Sequence, residues 1–350
     1  MRILATVLSI GFAPLLSWSG GAGELNVRST SNLPPRKVIV ATVVQGYWVK
    51  YPGVEKRLRE LTSEIDRMAE QSQAKYGRGL DLVVFPEVAV TGDAGGLMAH
   101  SLPFEGPVKE AFSRAARQHH CYVVVPMFLL ADEAKKIVYN AGILVGRNGE
   151  TVGTYRKLHL AVPMGRDSTE DGATPGKEVP VFDCDFGKLG IQICFDMEYD
   201  YGWTELAKKG ADIVVWPTQS PGTAHPALRA MQNRYYIVSS TWRNNASIFE
   251  PTGKITAQVR PPEHILVEEI DLSYALVQWS AKLRNGAAFQ EKYGAKAGFR
   301  YYEDEDLGIF WSNDPGMTVR QMVRSLGLNE CEEELERIRG LYHKAGVPGS

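Results

Sequence analysis

Three residues in this chain have side chains and settings suited to acyl transfer: Glu87, Lys157 and Cys194. Cys194 closes the apolar run Leu189-Gly190-Ile191-Gln192-Ile193 and precedes the polar turn at Phe195-Asp196, which predicts a thiol at the carboxyl end of a strand. That edge of an α/β sheet is where ligands usually bind. Glu87 closes Leu82-Val83-Val84-Phe85-Pro86, and Lys157 follows the β-rich stretch Thr151 to Arg156. A cysteine attacks as the thiolate, and a free thiol with a pKa of about 8.5 is only partly ionised at neutral pH. A carboxylate can take its proton and later pass it to a leaving amine. An ammonium favours the thiolate and then the developing oxyanion. Taken singly, each residue has an ordinary explanation: a buried small hydrophobe, a strand-ending glutamate, a solvated lysine.

The elements that must position them alternate between strand and helix. Lys37 to Val44 is a near-continuous β-branched run, as expected of a strand buried on both faces. Val54, Leu58, Leu61, Ile65 and Met68 then recur at helical steps, with Lys56, Arg57, Glu60 and Glu64 assigned to the opposite face. A strand over 81–86, a helix over 107–119 and a strand over 121–127 follow. Val138 to Val145 and Thr151 to Lys157 flank Asn148-Gly149, a hairpin signal. Beyond a polar loop from Pro163 to Lys177 come strand 189–194, helix 202–209, strand 211–216, helix 225–235 and strand 236–242. A second hairpin is expected around Pro251-Thr252-Gly253. The economical reading is one α/β domain over about 37–272. A C-terminal extension over 273–350 includes a mostly charged, solvated helix near Glu332 to Tyr342.

The contexts of the three residues resemble the nitrilase superfamily of carbon–nitrogen hydrolases, in its amidase-like branch. Asp81 to Glu87 is similar to its glutamate motif, Tyr155-Arg156-Lys157-Leu158-His159-Leu160 to its lysine motif, and Gly190 to Asp196 to its cysteine motif, in the same order. Gly210 to Pro217 and Arg229 to Val238 resemble later core segments. The resemblance implies an α/β fold, a four-layer αββα sandwich, often paired into a homodimer or larger homo-oligomer. It implies Cys194 as nucleophile, Glu87 as acid and base, and Lys157 with the Phe195 backbone N–H as oxyanion holders, without a metal or organic cofactor. Many members add a second glutamate in the loop after the lysine motif. Glu170 is the candidate, with Asp171 and Glu178 as alternatives.

Phe195-Asp196 stands where nitrile-cleaving members have Trp-Glu, which favours an amide or carbamoyl amide over a nitrile. Met197-Glu198 replaces the arginine with which several carbamoyl-amino-acid hydrolases bind a carboxylate. A substrate without a carboxylate near the scissile bond is therefore expected. Glu198, Tyr199 and His225 are candidate pocket residues, and Tyr201 and Trp203 could extend an aromatic wall.

The composition points to a small-molecule substrate rather than nucleic acid, because 39 basic residues face 41 acidic ones with no basic stripe. Met1 to Gly23 reads as a secretory signal peptide, its apolar stretch short for a membrane span and interrupted by Pro14. That reading makes the protein secreted or periplasmic, without a membrane span after cleavage. Residues 24–36 read as an unstructured leader. Of the four cysteines, Cys121 reads as core, and Cys184 and Cys331 as a possible pair in an oxidising compartment. Competing readings are nitrile hydrolysis or acyl transfer to an amine on the same triad, a catalytically inactive binding protein, and a metal-dependent phosphoesterase, which the sandwich layering would also accommodate.

Overall fold

A computed structural model describes residues 29–348 except 48–49, 93–99, 163, 164 and 166. The expected signal peptide therefore lies outside the described residues. Two six-stranded mixed sheets stack face to face. The first runs in the order β12-β1-β2-β3-β4-β5, built from β1 (Lys37–Val43), β2 (Leu82–Val84), β3 (Tyr122–Asp132), β4 (Ile137–Val145), β5 (Thr151–Arg156) and β12 (Ile265–Asp271). The second runs β11-β10-β9-β8-β7-β6, from β6 (Val181–Cys184), β7 (Gly187–Ile191), β8 (Ile213–Pro217), β9 (Tyr236–Ser240), β10 (Ala246–Phe249) and β11 (Ile255–Val259). The centre of each sheet is parallel, β1-β2-β3 and β7-β8-β9.

The period of two along each strand divides its side chains between two cores. Val38, Val40, Leu82 and Val84 meet Ile191, Ile213, Val215 and Val238 between the sheets. Ile39, Ala41 and Val83 face outward onto α1 (Val54–Tyr76) and α2 (Pro107–His119). On the other side Val214, Trp216 and Ile237 pack under α3 (Asp200–Lys208) and α4 (Ala224–Asn233). These are the four layers, αββα, that the resemblance implies. The apolar face read on α1 packs as expected, but Arg57 and Glu64 are buried rather than solvated. The Arg57 guanidinium lies over the Tyr47 ring and donates to the Ala89 carbonyl at 2.7 Å, so the loop after β2 has recruited it inward.

The C-terminal extension is a structured module. Antiparallel strands β13 (Tyr274–Gln278), β14 (Ala297–Tyr302) and β15 (Leu307–Ser312) form a small sheet in the order β13-β15-β14. With α5 (Ala287–Tyr293) and α6 (Val319–Ser325) it encloses its own core around Phe289, Phe310 and Met322. Leu276 and Ile309 point the other way, into the core between the large sheets. The last helix, α7 (Cys331–Lys344), is largely solvated as expected, with Cys331 buried. The leader is not wholly unstructured: Thr30 and Ser31 are buried, and the Ser31 hydroxyl donates to Glu330 at 2.5 Å. Cys184 and Cys331, whose pairing the sequence left open, are free thiols, as are Cys121 and Cys194.

Candidate active site

Glu87 comes from the loop after β2, where the chain turns through Val88 at a φ of 50°. A β-branched residue seldom adopts that conformation, so surrounding contacts must hold it. One is the Trp242 indole N–H, which donates to the Glu87 carbonyl at 2.9 Å. The Glu87 side chain is buried; its Oε1 accepts from Lys157 Nζ at 2.8 Å and from Asn140 Nδ2 at 2.9 Å, while Oε2 has no hydrogen-bond partner among the described residues.

Lys157 continues β5 by one residue, donating its backbone N–H to the Asn140 carbonyl at 2.8 Å. Its own carbonyl accepts from the Gly176 N–H at 2.8 Å. A Cβ on Gly176 would fall 2.1 Å from the Arg156 carbonyl oxygen, so only glycine permits this return of the loop. The loop thereby delivers Glu170, whose Oε1 accepts from Lys157 Nζ and from the Ala161 N–H at 3.0 Å. Its Oε2 accepts from Asn140 Nδ2 at 3.0 Å. Among the candidates for the second glutamate, Glu170 is bonded to Lys157 and Glu178 is exposed, while the Asp171 side chain lies outside the described residues.

Cys194 enters from the second sheet, but not as a strand end. Strand β7 stops at Ile191, and Cys194 opens a 3-10 turn, Cys194–Glu198, at a φ of 42°. The correction has a physical cause: the Asp196 carboxylate accepts from the Ile193 N–H at 2.9 Å, and the Trp216 indole N–H donates to the Cys194 carbonyl at 3.1 Å, which together curl the chain away from the sheet. Burial pushes the Cys194 thiol up to about 12, with Glu87 adding to the effect. Lys157, the Thr218 hydroxyl and the Gln219 backbone N–H act the other way without reversing it. For Lys157, burial pulls the ammonium down, but Glu87, Cys194 and Glu170 more than offset this and hold it well above the usual lysine range. The pair thus favours a neutral thiol beside an ammonium.

A cavity of about 570 Å³ opens over Cys194, lined by Phe195, Met197, Glu198, Trp216, Pro221, His225 and their neighbours. Two expected pocket residues, Glu198 and His225, line it, with His225 Nδ1 3.6 Å from Glu198 Oε1. The third, Tyr199, is outside that lining; it stacks on the His159 ring at 4.0 Å. The proposed aromatic wall is absent, because Tyr201 faces solvent and Trp203 is buried, donating to the Asp196 carbonyl at 2.9 Å. Asn140 escaped the sequence reading. Its signal was a lone amide inside the apolar run Val138 to Val145, which a buried strand tolerates only with partners.

The family model described as carbon-nitrogen hydrolase matches residues 40–276. A probable nitrilase of Schizosaccharomyces pombe is 26% identical over 245 residues, 65% of this chain and 86% of that protein. An omega-amidase of Danio rerio is 27% identical over 224 residues, 57% of this chain and 79% of that one. A deaminated glutathione amidase of Homo sapiens is 25% identical over 224 residues, covering 56% and 68%. Among solved structures, Nit3 of Saccharomyces cerevisiae, a member of branch 10 of the nitrilase superfamily, superposes with a TM-score of 0.56 at 21% identity, over 67% of this chain and 90% of that one. A carbon-nitrogen hydrolase of Helicobacter pylori G27 gives 0.57 at 18% identity, over 68% and 90%. At such identities the structural likeness establishes the shared fold.

Proposed function

The chain belongs to the carbon–nitrogen hydrolase family, and on that premise we propose that it cleaves an amide or carbamoyl amide through a thioester on Cys194. The observation that carries this reading is the meeting of Glu87, Lys157 and Glu170 on the side of one sheet with Cys194 on the side of the other, where Cys194 lines a cavity.

Because the Cys194 thiol is held protonated, attack needs a base in the same step. Glu87 Oε2, buried and without a hydrogen-bond partner among the described residues, is the acceptor. As sulfur bonds to the carbonyl carbon, the thiol proton moves to Glu87. The resulting oxyanion is held by the Lys157 ammonium and the Phe195 backbone N–H, the latter role resting on the family resemblance. Collapse breaks the carbon–nitrogen bond, and Glu87 protonates the departing amine. A water then loses its proton to Glu87 and attacks the thioester, and the thiol is restored with release of the acid. Asn140 and Glu170 hold Glu87 and Lys157 through both halves.

Ammonia release from a panel of amides, ureido compounds and nitriles tests the reading, with Cys194→Ala and added chelator alongside. Activity lost in the variant and indifferent to chelator supports it. Chelator-sensitive activity that survives the substitution overturns it in favour of metal-dependent hydrolysis. Amide turnover with nitriles inert separates the amidase from a nitrilase, and added hydroxylamine, if acylated, reveals transfer to an amine.

Two further expectations travel with this proposal. Residues 1–23 as a signal peptide predict a mature chain whose N-terminus, read by sequencing of exported protein, begins near Glu24. A homodimer is supported by the exposed apolar side chains Tyr201, Leu228 and Met231 on α3 and α4, and light scattering tests it.

A further inference from the structure

Lys157 follows a strand of the first sheet and Cys194 opens the turn after a strand of the second, so their separation depends on how the two layers sit on one another. Apolar packing between sheets is non-directional and fixes that offset only loosely. Hydrogen bonds, with their narrow geometry, fix it better. One buried carboxylate supplies them at this point. Asp196 Oδ2 accepts from the Tyr155 hydroxyl at 2.7 Å and the Ile193 N–H at 2.9 Å. Asp196 Oδ1 accepts from the His159 N–H at 2.9 Å and lies 3.0 Å from His159 Nδ1. Tyr155 and His159 bracket Lys157, and Ile193 and Asp196 bracket Cys194.

We propose that Asp196 is a positioning residue, a tether that fixes Lys157 against Cys194 across the two sheets. The proposal rests on the reading of those two residues as a catalytic pair. The tether is braced on both sides: Tyr199 stacks on His159 with the rings 10° apart, and the Trp203 indole holds the Asp196 carbonyl. Asparagine cannot replace the carboxylate, because each oxygen accepts from a backbone N–H, Oδ2 from Ile193 and Oδ1 from His159, and an amide would aim its NH₂ at one of them however it turned.

The test follows the thiol rather than turnover. Alkylation of Cys194 by iodoacetamide is timed by mass spectrometry of its peptide in wild type, Asp196→Asn and Tyr155→Phe, with fully buried Cys121 as the internal monitor of folding. Lys157 favours the thiolate, so a lysine no longer held beside it slows alkylation. Asp196→Asn is expected to lose at least about tenfold in rate near pH ~8, the equivalent of one unit in the thiol, with Cys121 still protected. Tyr155→Phe, which removes one oxygen, is expected to lose roughly threefold, as one lost hydrogen bond allows. An equal or faster rate in Asp196→Asn with Cys121 protected overturns the proposal. If that variant exposes Cys121, the decision passes to Tyr155→Phe, where an unchanged rate overturns it. A wild type that releases no ammonia from the amide panel overturns the amidase reading instead, and leaves the alkylation result to stand.

Discussion

Lys157 donates from Nζ to one oxygen of Glu87 at 2.8 Å, and the other Glu87 oxygen is buried with no hydrogen-bond partner among the described residues. The carboxylate is anchored on one side and left free to receive a proton on the other. Its negative charge also raises the Cys194 thiol, second only to burial. Glu87→Gln therefore has effects of opposite sign on two measurements. Ammonia release is expected to fall by about 10²–10⁴-fold, the range for loss of a positioned acid–base group. Alkylation of Cys194 by iodoacetamide is expected to speed up, because the repulsion that disfavours the thiolate is gone. An unchanged alkylation rate would place Glu87 away from the sulfur, and a slower one would show that it takes the thiol proton during alkylation as well.

The pH dependence of that alkylation in wild type follows from the raised thiol. Below a pKa of about 12 the thiolate fraction grows tenfold per pH unit, so the rate constant should rise without a plateau from pH ~7 to ~10. A plateau near pH ~7 would instead mark a preformed thiolate–ammonium pair, and Glu87 would no longer be needed to take a proton in the first step.

Glu170 shares Lys157 and Asn140 with Glu87 but is reached through a loop. Glu170→Gln keeps the shape and removes the charge that helps hold the ammonium. Misplacement by an ångström costs about 10²-fold in a positioned site. A fall in kcat of roughly that size is expected, smaller than for Glu87→Gln and with KM little changed, measured by steady-state ammonia release.

Much of this was legible from local pattern. β-branched runs marked β1, β8 and β9, and α2 spans the expected 107–119 because Gly106 and Pro107 open it and His120 ends it in a left-handed conformation. The turn at Gly149, with its φ of 80°, sits where Asn148-Gly149 placed it. What escaped depends on partners distant in sequence. Cys194 looked like a strand end because Ile191 and Ile193 continue an apolar run; the curl that removes it comes from Asp196, Tyr155 and Trp216. Arg57 looked solvated by helical phase and was drawn inward by Tyr47 and Ala89. Trp203 and Asn140 likewise take their roles from their partners, the Asp196 carbonyl for one and the Glu87 and Glu170 carboxylates for the other.

Glu198 and His225 both line the cavity, 3.6 Å apart, and neither is among the hydrogen-bond partners of the Glu87–Lys157 pair. Glu198→Gln is expected to alter KM by a few-fold with kcat nearly unchanged, since it removes a binding group and no transition-state contact. If the substrate lacks a carboxylate there, the same substitution should improve kcat/KM for carboxylated amides by easing repulsion. A wild type that already prefers carboxylated amides in the panel would contradict this view of the pocket.

The C-terminal module is joined to the second sheet by Glu250, fully buried, whose Oε2 accepts from Arg300 Nε at 2.9 Å and Nη2 at 2.6 Å. Removing one partner of a buried pair costs more than the pair contributes, because the survivor stays desolvated. Arg300 is partly exposed and the Thr252 hydroxyl still serves Glu250 Oε1, which moderates the cost. Arg300→Met is expected to lose about 2–3 kcal/mol in urea unfolding. Adding Glu250→Gln should restore part of that loss, since the stranded charge is removed with its partner. Because Leu276 and Ile309 complete the core between the large sheets, removal of residues 273–350 should be far more damaging than either substitution and leave the remaining chain insoluble or molten. A soluble, active fragment ending at residue 272 would show that the sandwich closes without the module.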